Sequence, residues 1–361
     1  MNETKILFIS RAYPPVVGGI ENQNYELGKW LGEIANLKLL ANTKGKSFLP
    51  VFLPHAMFRV IFCMQKYDVL LLGDGVLGII GWISKLFHPS KPVICVVHGL
   101  DLTFTNKFYQ KLWVGFFLKK LDTLIAVGNE TIRVGVERGL SKKKFVFIPN
   151  GVDTEKHLVK SSKSELEKIL GISLQNKHVL LTSGRLAKRK GVAWFVKNVM
   201  PKLSADFIYV VSGNGPDKEN ILNAMKENKL EEKILMLGYI TNEVRNVLLC
   251  NCDLFVQPNI QVAGDMEGFG ISVIEAGACR LPVLASHLEG LKDAIKHEQN
   301  GFFIEPENAT AYAEKINELF ADKAALKLFG EKARQFVIEN YSWHTIAEKY
   351  LAQIQKTIYK K

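Results

Sequence analysis

The chain reads as an α/β protein built from two doubly wound domains, and three observations predict this. Its 361 residues exceed what one ordinary core holds. Short aliphatic runs alternate with amphipathic stretches along most of the length, the pattern of a parallel sheet covered by helices on both faces. A charged, less apolar stretch from Thr154 to Lys168 interrupts that alternation near the middle and reads as a linker region. The predicted domains are residues 1–165 and 166–340. A closing helix over 341–361 is expected to pack back towards the N-terminal domain.

In the first domain, Lys5-Ile-Leu-Phe-Ile-Ser10 is a short buried strand. The loop Arg11 to Gly19 follows, where two prolines and two glycines forbid a helix. Ile20, Leu27, Trp30, Leu31 and Ile34 then trace one helical face. Strand, Gly18-Gly19 turn and helix make a βα turn suited to a phosphate, although the G-x-G-x-x-G dinucleotide fingerprint is absent. Further strands are expected at Val69–Leu72, Val93–Val97, Thr123–Val127 and Phe145–Ile148, with helices around Val76–Leu86 and Phe108–Lys120. His98 directly follows Val93–Val97, at the carboxyl end of a strand, where open α/β sheets bind ligands. Pro14–Val17 and Ala41–Pro50 offer no residue with an assignable chemical role.

The second series opens at His178–Thr182 and runs into Ser183-Gly-Arg-Leu-Ala-Lys-Arg-Lys-Gly191. Its later strands are Phe207–Val211, Ile234–Leu237, Leu254–Gln257, Leu281–Ala285 and Phe302–Ile304, punctuated by Gly213-Asn-Gly-Pro216 and Asn300-Gly301. In the tail, Trp343, Ile346, Tyr350, Leu351 and Ile354 line one face of an amphipathic helix.

The chemistry concentrates in Asp265-Met-Glu-Gly-Phe-Gly-Ile-Ser-Val-Ile-Glu-Ala-Gly-Ala278. Glu267 and Glu275 stand eight positions apart across a Gly-Phe-Gly hinge, and the residues after Gly270 read as a buried helix. Such a hinge aims free backbone N–H groups at the helix start, a geometry that holds anionic phosphate. A carboxylate facing a phosphate would repel it, so at least one of the pair must face a sugar hydroxyl or ribose. Arg185 and Lys190 flank the turn after the first strand of this domain, a place for cations that neutralise a diphosphate.

Composition bounds the rest. With 47% hydrophobic and 23% charged residues the chain is globular. Its five cysteines show no metal-site spacing, so no metal is predicted and a reducing, cytoplasmic compartment is expected. No signal-peptide core opens the sequence. The apolar stretch Val69 to Phe87 is broken by Asp74, Lys85 and four glycines and does not qualify as a spanning helix. Residues 1–168 hold 23 Lys and Arg against 14 Asp and Glu, whereas residues 169–361 hold 24 against 22. That asymmetry points to an anionic partner on the first half: lipid headgroups, a phosphorylated acceptor or nucleic acid. Lys107–Lys120 interleaves lysines with Phe108, Tyr109, Trp113, Phe116 and Phe117, which suits either a helix on an anionic membrane or a core helix with lysine ends.

Taken in order, these motifs resemble the retaining, nucleotide-sugar-dependent enzymes of glycosyltransferase family 4. The matching pieces are Pro14–Glu21, Val97-His-Gly99, Ile148–Asp153, Gly184–Gly191, Gly213–Pro216, Glu267–Glu275, Asn300–Ile304 and the Tyr-Ser-Trp start of the tail. The resemblance implies the GT-B fold, two doubly wound Rossmann-like domains facing across a cleft. It implies transfer of a sugar from a UDP- or GDP-sugar to a glycan or lipid-linked acceptor in cell-envelope polysaccharide, lipopolysaccharide or glycolipid synthesis. No tightly bound cofactor and no metal are implied. By the same resemblance Glu275 holds the ribose, and Glu267 contacts the transferred sugar near its anomeric centre. Arg185 and Lys190 hold the diphosphate with backbone around Phe269, Gly270, Ile271 and Ser272. Gly18 and Gly19 let the first domain's loop approach the phosphates, and His98 touches the donor sugar.

Two other enzymes fit the architecture: a nucleotide-sugar epimerase, and a nicotinamide-dependent oxidoreductase, disfavoured by the missing fingerprint. A basic nucleic-acid-binding protein is disfavoured by the absence of any recognised module.

Overall fold

The computed structural model describes residues 4–16 and 18–359. Val17, in the motif between Pro14 and Glu21, lies outside them, as do Lys360 and Lys361 at the end of the tail. The chain divides into two compact units, Met1–Gly151 with Trp343–Lys361, and Val152–Ser342.

The first unit holds six strands: β1 (Lys5–Ser10), β2 (Asn36–Ala41), β3 (Val69–Leu72), β4 (Val93–Val97), β5 (Thr123–Ala126) and β6 (Phe145–Phe147). They pair in the order β2-β1-β3-β4-β5-β6, every neighbouring pair parallel. The second unit holds β7 (His178–Ser183), β8 (Phe207–Ser212), β9 (Ile234–Gly238), β10 (Leu254–Gln257), β11 (Val283–Ser286) and β12 (Phe302–Ile304). Their order is β12-β11-β10-β7-β8-β9, again all parallel. The strand order reverses between β1 and β3 in one sheet and between β7 and β10 in the other. Loops leaving the carboxyl ends at such a reversal splay apart and leave room for a ligand.

The helices used below are α1 (Gly19–Ile34), α2 (Leu49–Cys63), α3 (Gly78–Phe87), α4 (Asn242–Asn251), α5 (Ile271–Ala278), α6 (Lys323–Tyr341) and α7 (Trp343–Tyr359). Trp343, Ile346, Tyr350 and Ile354 of α7 are buried in one cluster with Leu27 and Leu31 of α1 and with strand residues Ile6 and Phe8. Each such side chain contributes about 1.5–3 kcal/mol, more than helix propensity offers per residue, so the apolar stripe fixes the closing helix.

Among the elements that the sequence pattern did not reveal are β2 and α2. In α2, Pro50 sits in the first turn and Pro54 inside the helix, and a proline pair reads as a loop. β2 has no fully buried residue and lies at the sheet edge, so its alternation is weak.

The boundary also differs from expectation, falling at Gly151/Val152 and not at 165/166. Residues 154–162 are no free linker, because their polar groups are spent on the second unit. His157 Nδ1 donates to Asn246 Oδ1 at 3.0 Å, Asn246 Nδ2 donates to Lys156 O at 3.2 Å, and Asn251 Nδ2 donates to Ser161 Oγ at 2.6 Å. Arg334 of α6 donates to Thr154 O at 2.9 Å and to Glu155 at 3.0 Å. Residues Lys163–Leu170 then form a helix that buries Leu166 and Leu170, one turn apart. A charged composition with so narrow an apolar stripe mimics a linker.

Candidate functional site in the second unit

The loop after β7 is clamped on both sides by glycine contacts. Gly213, at φ 125°, lies so close to that loop that a Cβ would sit 1.8 Å from Gly184 O. Leu186 N donates to Asn214 O at 3.0 Å across the same contact. On the other side Gly191, at φ 66°, would put a Cβ 1.8 Å from Pro258 O, and Ile260 N donates to Arg189 O at 2.9 Å. The loop is thereby fixed between the ends of β8 and β10, and its cations are aimed by backbone.

That clamp delivers Lys190 to Glu267. Lys190 Nζ lies 2.6 Å from Glu267 Oε2, Arg189 Nε lies 3.6 Å from the same oxygen, and Asn259 Nδ2 donates to it at 3.3 Å. Arg189 also pairs with Asp265 at 3.1 Å. The backbone of Glu267 is held as firmly, its N–H donating to Glu289 Oε2 at 2.7 Å and its carbonyl accepting from Gly290 N at 3.1 Å. Burial would push the Glu267 carboxyl up, but Lys190 and then Arg189 outweigh it and hold its pKa below the ordinary value.

A line of hydrogen bonds runs from this acid to the start of α5. Gln257 Nε2 donates to Asn259 Oδ1 at 2.6 Å, and Ser272 Oγ donates to Gln257 Oε1 at 3.1 Å. Gly270, at φ 90°, caps the helix where a Cβ would meet Leu291 at 2.6 Å, so only glycine makes this turn. The first bond of the helix is Val273 N to Gly270 O at 3.1 Å. The amides of Ile271 and Ser272 precede it and face outward along the axis, as anion-binding helix ends do. Phe269 is buried edge-on to Tyr341 at 5.8 Å, so its backbone is what it can offer a ligand.

Glu275 sits one turn further in, buried and bound by Arg245 of α4, with His157 Nε2 3.8 Å from its other oxygen. Arg185 lies on the β7 loop, exposed, with no side-chain partner among the described residues. Lys190, Glu267 and the start of α5 are thus brought together, Glu275 forms a separate ion pair, and Arg185 stands free.

The first unit's candidates lie at its own strand ends. His98 Nε2 donates to Gly73 O at 3.0 Å, which fixes the orientation of the ring. Buried Asp101 accepts from His98 N at 3.1 Å and Gly75 N at 3.0 Å. Arg11 and Asp74 join the loops after β1 and β3 at 2.9 Å, and burial lifts the Asp74 carboxyl above its ordinary range despite Arg11. Gly18 precedes α1, where a Cβ would meet Glu21 Oε2 at 2.1 Å, whereas Gly19 has open space around it.

Arg189, Asn259, Arg245, Glu289, Asp74 and Asp101 carry much of this geometry without having been singled out from sequence. Asn259 and Asp74 each follow a strand end and could have been found by the rule that selects His98. Arg245 and Glu289 reach in from distant segments, and nothing local marks them.

Two family models match. Residues 163–336 fit the model described as glycosyl transferases group 1, and residues 35–156 fit the one described as glycosyltransferase family 4. Among curated proteins, the chain is 28% identical over 293 residues to an Escherichia coli UDP-Gal:alpha-D-GlcNAc-diphosphoundecaprenol alpha-1,3-galactosyltransferase, covering 77% of this chain and 72% of that protein. It is 30% identical over 275 residues to the Campylobacter jejuni N,N'-diacetylbacillosaminyl-diphospho-undecaprenol alpha-1,3-N-acetylgalactosaminyltransferase, covering 73% and 70%. A crystal structure of Anabaena HepE in complex with UDP superposes with a TM-score of 0.78 at 18% identity, over 98% of this chain and all of that one, a likeness of fold. With two all-parallel six-stranded sheets, the architecture is that of the GT-B glycosyltransferases. The chain belongs to glycosyltransferase family 4, the glycosyl transferases group 1, and is a glycosyltransferase.

Proposed function

We propose that the protein moves a sugar from a UDP- or GDP-sugar to a lipid-linked or glycan acceptor in cell-envelope synthesis, with retention of anomeric configuration. The observation that carries this reading is the ionised Glu267, held by Lys190 beside the open start of α5 at the sheet's reversal point. The amides of Ile271 and Ser272, together with Arg185 and Lys190, are assigned to the diphosphate. There they stabilise the charge that builds on the leaving group as the glycosidic bond breaks. Glu267 is assigned to the sugar near its reacting carbon, with the acceptor approaching the face the diphosphate leaves. The roles of Gly18, Gly19 and His98 rest on the family motifs in which they stand. The undecaprenyl-diphosphate-linked sugars in the names of the two relatives support a lipid-linked acceptor. A thermal-shift screen of UDP, GDP, ADP and their sugars, followed by hydrolysis of the best binder, tests the reading. Stabilisation by none of them would refute it.

Glu275 is assigned to the ribose through the oxygen that Arg245 leaves open. Glu275→Gln is expected to weaken nucleotide affinity by about 10–100-fold, the value of a charge-assisted hydrogen bond. Calorimetric titration measures this, and unchanged affinity removes Glu275 from the site.

The acceptor side is assigned to the basic first unit, at the cytoplasmic face of a membrane. Lys107, Lys111, Lys119 and Lys120 are exposed along residues 107–120, as are Phe108 and Phe116, while Val114, Phe117 and Leu118 point into the core. Reversing three charges with K111E/K119E/K120E is expected to cut binding to anionic vesicles by about 100-fold at low salt, at ~1 kcal/mol per lysine. Flotation reads the loss, and equal binding would count against this surface.

A further inference from the structure

α2 is largely apolar on both sides, with His55 exposed between Val51 and Phe58 and Arg59 half-buried, yet only one side is covered. Phe52, Ala56 and Val60 are buried at helical spacing. On the other side Val51, Phe58 and Phe62 are 57%, 59% and 65% exposed, with the Phe58 and Phe62 rings 4.5 Å apart. A helix that is apolar all round is normally enclosed on all sides, by protein or by lipid. The stripe continues beyond the helix: His88, which follows Leu86 and Phe87 at the end of α3, bonds Ile61 O at 2.9 Å, and both Leu86 and Phe87 are exposed.

The sequence around this stripe is mostly basic, although Lys85 of α3 is paired with Asp122 at 3.0 Å. Between Ile34 and Leu121 the sequence holds eleven Lys or Arg and three acids, Asp68, Asp74 and Asp101. Of those acids Asp74 and Asp101 are buried, and Asp74 is already paired with Arg11. Arg59 lies within α2, and Lys46 and Lys66 stand at the two ends of its helical run. That run, Lys46–Lys66, is long and apolar enough to cross a bilayer. Its 52/56/60 side is nevertheless fixed to the unit, which leaves it to lie flat.

We propose that α2 seats in the interface of an anionic lipid bilayer, inserting Val51, Phe58 and Phe62 among the acyl chains while the surrounding cations meet the headgroups. The proposal rests on the reading of the first unit as the lipid-facing side and names the element that inserts. An amphipathic helix of this kind binds by buried apolar area together with attraction to anionic lipid. Cations alone would leave the stripe exposed to water, and apolar contact alone would not select anionic lipid.

The test uses the full chain with phosphatidylcholine vesicles, with and without phosphatidylglycerol. Because Phe58 and Phe62 are exposed, the variant F58S/F62S keeps the fold, and hydrolysis of the nucleotide sugar without vesicles is expected to match the parent. Its flotation with anionic vesicles is expected to drop at least about 10-fold. After subtraction of the parent's emission, which comes from its five native tryptophans, the indole introduced by Phe58→Trp is expected to shift to the blue on vesicle addition. Flotation of F58S/F62S equal to the parent, or an indole that does not respond, overturns the proposal. Loss of flotation in K111E/K119E/K120E with full flotation in F58S/F62S sinks insertion of α2 and leaves the basic surface standing. A dimer that F58S/F62S dissolves, in a parent that does not float, gives the stripe to a second copy and also overturns it.

Discussion

Glu267→Ala is expected to lower turnover by about 10²–10³-fold, with little loss of nucleotide affinity. The carboxylate sits under Lys190 at 2.6 Å and is braced by Asn259 and by its own backbone contacts to Glu289 and Gly290. A group fixed so closely can meet positive charge developing on a sugar carbon without reorganising. Its removal also frees Lys190 for phosphate, so free nucleotide should bind as well as before or better. Steady-state rates together with titration of the nucleotide separate the two effects. Parental turnover, or affinity falling in step with turnover, would show that the acid serves the nucleotide and not the transfer. The same carboxylate has a pH signature. Its pKa in the folded protein is depressed, so its stabilising contribution is complete above the ordinary value of 4.5 and is lost as pH falls through the folded value. Melting temperature in Glu267→Gln should therefore fall less steeply with acid than in the parent.

The largest expected effect on stability comes from Gly191→Ala. Two glycines offer a controlled comparison, Gly171 at φ 69° and Gly191 at φ 66°. A methyl group at 171 meets nothing within 4 Å, whereas at 191 it would land 1.8 Å from Pro258 O. Gly171→Ala should therefore cost only the left-handed backbone term, about 1–2 kcal/mol. Gly191→Ala adds a backbone collision and should exceed about 3 kcal/mol, a drop of roughly 6–12 °C in a domain of this size. It should also lower turnover, since Lys190 hangs from the same clamp. Calorimetry on both variants decides the point, and equal melting temperatures would mean that the β7 loop yields.

Much of the architecture was legible because strands buried on both faces must be aliphatic throughout. Val93–Val97 and Leu254–Gln257 appear where the sequence places them, and α5 begins directly after Gly270. What escaped did so for local reasons. α2 carries prolines that its N-terminal turn and solvent-exposed side tolerate, and β2 lies at an edge where alternation fades. Glu267 and Lys190 could be named from sequence, but not the ion pair between them, which depends on how Gly191 meets Pro258 some 67 residues later. Arg245 was invisible for the same reason: its partner Glu275 lies thirty positions away on another helix.

The contact of Gly213 with Gly184 bears on any attempt to re-engineer the turns at this end of the sheet. The two turns share a hydrogen-bonded seam, from Gly184 N to Ser212 O at 3.0 Å and Leu186 N to Asn214 O at 3.0 Å, with Gly213 N donating on to Gly238 O at 2.7 Å. Grafting one turn from a cousin would break its mates. Redesign must work through substituents borne on the unchanged main chain, such as Asn214 or the solvent-facing Tyr239.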